Sequence, residues 1–157
     1  MKAFSVQQPW AWAIIFAGKD VENRTWTHNY RGPILIHASK QFDHDGYEWI
    51  AENFTFELPR KQEFPRGGIV GTVIIEKMVR SLKHSKWMAG PWGWVLKDPR
   101  PLPFLRYRGR LGLFDIHIEP TDYPYYYAWK NNPKRASMYR RRCRVLVSFN
   151  PRLRAGG

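Results

Sequence analysis

Helical spacing occurs in only two stretches of this chain, and short strand-like runs broken by proline and glycine fill most of the rest. That pattern leaves few long helical crossovers and points to a sheet-based fold. The first stretch, WAWAIIFA, follows Pro9, which suits the first turn of a helix. Trp10, Ala13, Ile14 and Ala17 recur at helical intervals, and Gly18 follows as a C-terminal cap. The run is apolar on every side, so the helix is expected to be largely buried. The second stretch is Asp43–Phe54, with Asp43 as N-cap and Trp49, Ile50 and Phe54 facing inward.

The remaining segments read as strands. Lys2–Gln7 comes first, then Asp20–Trp26. Pro33–Ser39 places Ile34, Ile36 and Ala38 on one face and Leu35, His37 and Ser39 on the other. Gly67–Val79, GGIVGTVIIEKMV, is the strongest strand because it is rich in β-branched residues. Trp92–Leu96 and Leu111–Ile118 follow, joined through the proline-rich DPRPLPF. Six short strands and two helices predict an α+β fold, a small mixed β-barrel with two flanking helices. This domain is expected over residues 1–120. Residues 121–157 form a basic, aromatic extension in which YRRRCRVLVSF reads as one more strand or as tail.

Charge narrows the partner. The chain of 157 residues carries 26 Lys and Arg against 13 Asp and Glu. Residues 1–122 hold 17 basic and all 13 acidic groups, whereas residues 123–157 hold 9 basic groups and no acid. Such one-sidedness favours a polyanion, and YPYYYAW interleaves stacking surfaces. A basic tail that only aids solubility is the plain alternative. The longest apolar run, within Pro9–Gly18, is far short of the roughly 18–20 residues that span a bilayer, and no secretory leader precedes it. No membrane association is expected. Cys143 stands alone and cannot form an internal disulfide, which fits a reducing, cytoplasmic setting. The five histidines lack paired ligand spacing, and no phosphate- or dinucleotide-binding glycine pattern occurs, so neither metal nor cofactor is expected.

Candidate site residues concentrate between Gln8 and Lys40, where charges lie inside an otherwise foldable apolar segment. Burying an unpaired charge is expensive, so these groups need partners or a ligand. Strand alternation puts Asp20, Glu22, Arg24 and Trp26 on one face. Glu22 and Arg24 can form a plain ion pair at a barrel rim. Lys19 joins them if the turn at Gly18 swings it over, and a lysine among carboxylates and apolar walls can serve as base or nucleophile. His37 and Ser39 share a strand face without any recognisable nucleophile–base pattern. Glu76 ends the long strand, either at a barrel mouth or simply in solvent. Trp92 and Trp94 sit among glycines in GPWGW, either as base-stacking platforms or as packing.

The motifs QPWA, GKxxExR, RGxxxIHAS, the GxxVGxV strand and GPWGWVL with RPLPF and RGxLGLF, in this order, resemble the ASCH domain family over roughly residues 4–118. The resemblance implies a barrel like those of the PUA superfamily, with a cleft beside the first helix. It implies binding of RNA or single-stranded nucleic acid, or of a free modified nucleoside. It also brings an alternative, metal-independent hydrolysis of RNA or of an acylated nucleoside such as N4-acetylcytidine. Carried onto this chain, the cleft would be lined by Gln8, Pro9, Trp10, Lys19, Glu22, Arg24 and the His37–Ser39 strand, with Arg24 and Arg31 for phosphates. For hydrolysis, Lys19 fits the lysine of the amidohydrolase branch. Glu22 stands where that branch has a threonine, and Glu76 would be the counterpart of its glutamate.

Overall fold

The computed structural model describes residues 1–117. The extension over 121–157, Cys143 and the end of the strand proposed through Ile118 lie outside these residues. The elements run β1 (Lys2–Gln8), α1 (Trp10–Phe16), β2 (Val21–Arg24), β3 (Gly32–Phe42), α2 (His44–Asn53), β4 (Gly68–Val79), β5 (Trp92–Arg106) and β6 (Leu113–Asp115). They form one six-stranded sheet in the order β2-β5-β4-β3-β1-β6. β1 and β3 are parallel, and the other pairs are antiparallel.

Six strands and two helices in an α+β arrangement match the expectation. Closure into a barrel does not. A barrel needs a continuous ladder of main-chain bonds, and here β2 and β6 remain edge strands. The sheet nevertheless curls until β2 faces the second half of β1, which β6 leaves unpaired beyond Phe4. Side chains bridge that gap instead of backbone: Arg24 on β2 donates from Nη2 to the Ser5 carbonyl of β1 at 2.6 Å. Beneath it, the Phe4 and Trp94 rings meet edge-on at 5.7 Å.

Boundaries shift for local reasons. The first helix ends with Ala17 as C-cap, and Gly18 follows at φ 68°, a left-handed turn that glycine takes without strain. Asp43 caps the second helix by accepting from Gly46 N at 2.8 Å. Ile50 is buried as expected, but Trp49 is 39% exposed. β5 runs on through the proline-rich segment assigned as a connection. Shifts of register against β4 fall opposite Asp98–Pro99 and Leu102–Phe104, so Pro99 and Pro103 sit where the ladder is interrupted, while Pro101 between them stays in register with Gly71. The main core packs Phe4, Val6, Ile14, Ile34, Ile36, Val73, Ile75 and Trp94 between α1 and the sheet. A second, largely aromatic cluster joins α1, α2 and the following loops around Trp12, Ile50, Phe64 and Trp87.

Candidate functional site: a cleft at the gap in the sheet

The gap between β1 and β2 opens as a cavity of about 340 Å³. Its walls come from Ser5, Val6 and Gln7 of β1, Trp10 of α1, Glu22, Asn23 and Arg24 of β2, Ser39 and Gln41 of β3, and Asp43. The cleft therefore exists because the ladder stops here.

Three charges hold its floor. Glu22 is buried and takes one cation on each carboxylate oxygen: Lys19 Nζ lies 3.1 Å from Oε2, and Arg24 Nε lies 3.1 Å from Oε1. The Arg24 contact is an ion pair whose Nε–H is not aligned for a hydrogen bond. The Lys19 side chain is 3% exposed, and its ammonium also donates to the Val21 carbonyl. Gly18 delivers Lys19 to Glu22 as the turn argument requires, but Lys19 lies behind Glu22 and does not line the cavity. Arg24 is held between rings, with its guanidinium carbon 5.3 Å from Trp94 and 5.9 Å from Phe4. Lys19, Glu22 and Arg24 sum to one positive charge, which the Asp43 carboxylate on the wall balances.

Trp10 supplies the aromatic wall. Its Nε1 donates to Asp43 Oδ2 at 2.8 Å. A Cβ on Gly46 would stand 2.5 Å from the indole, so only glycine lets α2 approach the ring this closely. Lys19 Nζ lies 5.8 Å from the Trp10 ring centre and ties this wall to the floor. At the rim, Gln7 Nε2 donates to Gln41 Oε1 at 3.1 Å, and Ser39 Oγ donates to the Gln41 carbonyl at 3.2 Å. Asn23 is fully engaged: it donates to the Trp87 carbonyl and accepts from the Ala89 and Gly90 amides. It pins the loop before β5 against the cleft edge.

The cleft thus gathers Trp10, Glu22, Arg24 and Ser39 from among the residues picked out in the sequence, with Lys19 one layer behind. The others fall elsewhere. Gln8 is buried and holds chain turns, donating to the Pro65 carbonyl and accepting from Trp12 N. Pro9 is buried at the start of α1. His37 is buried against the loop before β6: Nε2 donates to the Tyr107 carbonyl at 3.0 Å, and Nδ1 meets Ser5 Oγ at 3.1 Å. Arg31 donates to the carbonyls of His28 and Tyr30 in its own turn. Glu76 pairs with Lys97 on the exposed surface, away from the cleft. Trp94 is fully buried beneath Arg24. Trp92 lies beside the cleft, under Arg80 at 4.2 Å.

Ser5, Gln7, Gln41 and Asp43 were missed as site residues. Ser5 and Gln7 alternate along β1, which the expected strand already covered, and Ser39 and Gln41 alternate along β3, which had to be extended from Ser39 to Phe42 to include Gln41. Nearby, His28 meets Trp94 edge-on at 4.4 Å. Burial first, then Arg31, push its pKa below the ordinary 6.5, opposed weakly by the Tyr30 backbone. Its ring nitrogens are buried without an aligned hydrogen-bond partner. Among the described residues, no three histidine, cysteine or acidic side chains are grouped to hold a metal.

The sequence profile of the ASCH domain matches residues 4–141. The chain belongs to the ASCH domain family. The match runs beyond the end suggested by the sequence motifs. No curated protein matches the chain. Two crystal structures of an ASCH protein from Zymomonas mobilis are similar to it. A point mutant of that protein is 14% identical, with TM-score 0.49, covering 76% of this chain and 92% of its own. The second structure is 16% identical, with TM-score 0.47, covering 76% and 90%. No helix among the described residues is long and apolar enough to cross a membrane.

Proposed function

We propose that this ASCH protein binds a single base or nucleoside, free or within single-stranded RNA, in the cleft between β1 and β2. The observation that carries this reading is the fixed pairing of an aromatic wall with a guanidinium in one cleft. Trp10 is held by Asp43 and Gly46, and Arg24 is held by Glu22 and Ser5. An indole face stacks on any base, and a preorganised guanidinium pairs with phosphate or with a base-edge acceptor. The Gln7–Gln41 amides and Ser39 add hydrogen-bonding groups at the rim for reading base edges. The basic extension over 121–157 would add phosphate contacts, and a cytoplasmic setting fits the lone cysteine. Titrating the protein with free nucleosides and with a short labelled RNA, with Trp10→Ala in parallel, tests the proposal. Wild-type affinity in Trp10→Ala would overturn it.

Hydrolysis of RNA or of an acylated cytidine rests on one contact, the Lys19–Glu22 pair at the cleft wall. Both Glu22 oxygens are already engaged by a cation, and Glu76 is remote. These facts favour binding. Metal-free turnover of N4-acetylcytidine or RNA that disappears in Glu22→Gln would establish catalysis instead.

A further inference from the structure

The cleft has a continuation. In the β2–β5 ladder, Arg24 is paired with Trp92, and on the other side of β5, Val79 is paired with Gly93. One step further, Arg80 lies over the Trp92 ring at 4.2 Å. Arg24, Trp92 and Arg80 therefore form a row across three strands, cation–ring–cation, starting at the cleft floor. The row leads into the loop after β4. From Lys77 to Lys97 the chain contains Lys77, Arg80, Lys83, His84, Lys86 and Lys97, and no acid. Lys77, Arg80, Lys83 and Lys86 are exposed, and none forms an ion pair with another described residue. The loop does not hang free: Ser85 donates to Asp20, Asn23 donates to the Trp87 carbonyl, and Asn23 accepts from the Ala89 and Gly90 amides. Both anchors lie on or beside β2, so the basic loop borders the cleft.

We propose that this ridge carries the sugar–phosphate backbone of a single-stranded polynucleotide one of whose bases enters the cleft. The proposal rests on the base-binding reading above and specifies its partner as a strand. Arg80 stands over an indole, and Lys77, Lys83 and Lys86 precede and follow it in the chain; such a run suits a chain of phosphates with a base stacking at the ring. An anionic membrane or an acidic peptide would use the charges but not the ring held among them.

The test uses the full chain and a short fluorescein-labelled single-stranded RNA of mixed sequence, with binding followed by anisotropy across a salt series. The variant carries Lys77→Gln, Arg80→Gln, Lys83→Gln and Lys86→Gln together. A matched control carries Lys40→Gln, Arg106→Gln, Arg108→Gln and Arg110→Gln, which removes the same charge from exposed sites elsewhere. At roughly 0.7 per phosphate contact for a single strand, the ridge variant should lower the slope of log K against log salt by up to about 3, well beyond the control. Free-nucleoside affinity, measured on the same variant, should stay within about twofold because the cleft is intact. An unchanged slope, or an equal fall in variant and control, overturns the ridge. So does ridge-dependent binding of anionic vesicles alongside unaltered RNA binding. Loss of nucleoside binding in Trp10→Ala is read separately, so a failure of the cleft and a failure of the ridge are told apart.

Discussion

Replacing Glu22 by glutamine would expose what holds the floor of the cleft. The change keeps the shape and removes the charge shared by Lys19 and Arg24. Their situations differ. The Arg24 side chain is 25% exposed and keeps its bond to the Ser5 carbonyl, so water can take over part of the lost interaction. The Lys19 side chain is 3% exposed and keeps the Val21 carbonyl but no counter-ion. Leaving a buried charge without its counter-ion costs about 3–5 kcal/mol, and the retained carbonyl places this case near the lower end, about 3 kcal/mol. For a chain of this length each kcal/mol moves Tm by roughly 2–4 °C, so Glu22→Gln should melt roughly 6–12 °C lower. Adding Lys19→Met removes the stranded charge while matching the length of its stem. Exchanging a buried pair for apolar groups is often close to neutral, so the double variant should recover most of the loss. Circular dichroism during thermal and urea unfolding reads both effects. A single-variant cost below about 1 kcal/mol, or a double variant no more stable than the single, would refute the account of Lys19 as a charge held by Glu22.

Trp10→Ala should weaken binding of a base by about 1–3 kcal/mol, the usual range for loss of one stacking platform, read by titration with nucleosides or RNA. Gly46→Ala should weaken the same binding, because its methyl would stand 2.5 Å from the Trp10 ring and push the indole off its Asp43 anchor; unchanged affinity would mean that Trp10 does not have to be held. Glu76→Gln should change stability by no more than about 1 kcal/mol and leave ligand binding intact, since its pair with Lys97 is solvent-exposed. His28 favours its neutral form in the fold, so the unfolded chain takes up its proton first as pH falls. Its contribution to stability is full above its ordinary value of 6.5 and declines below it toward the lowered folded value, and urea midpoints of His28→Phe should lack this part of the pH dependence.

Much of the sheet was legible because runs of β-branched and apolar residues mark buried strands. β4 and the first half of β5 are such strands, buried on both faces over most of that length, and both helices carry their own punctuation in Gly18 and Asp43. The second half of β5 was not legible, because prolines normally end a strand and only the pairing with β4 shows where register shifts absorb them. Openness of the sheet was illegible for a related reason. Which edges meet depends on curl accumulated over six strands, a quantity no local pattern records. At the site, the Glu22–Arg24 pair followed from spacing alone. His37 did not behave as its motif suggested: it shares a face with Ser39, but its pairing with Ser5 aims it at Tyr107, beneath the loop before β6. Asp43 was read only as a helix cap, and its second oxygen, which fixes Trp10, becomes visible only once α2 is packed against α1.

Unpaired strand edges invite pairing with other chains, and proteins blunt them with charges. Here the blunting uses the groups that form the floor of the cleft. Lys19 satisfies the Val21 carbonyl on β2, and Arg24 satisfies the Ser5 carbonyl on β1. Each bond replaces one that a closed ladder would have made, and both cations are tied together through Glu22. An apolar substitute for either cation would leave an edge carbonyl bare and remove positive charge from the floor. Direct backbone pairing of β1 with β2 would satisfy the carbonyls but close the cavity. The triad resolves the conflict by bridging the edges at side-chain length, which leaves the cavity between them. Its arrangement therefore follows from the need to hold a sheet open, and the guanidinium placed in the cleft is a consequence of the same bonds.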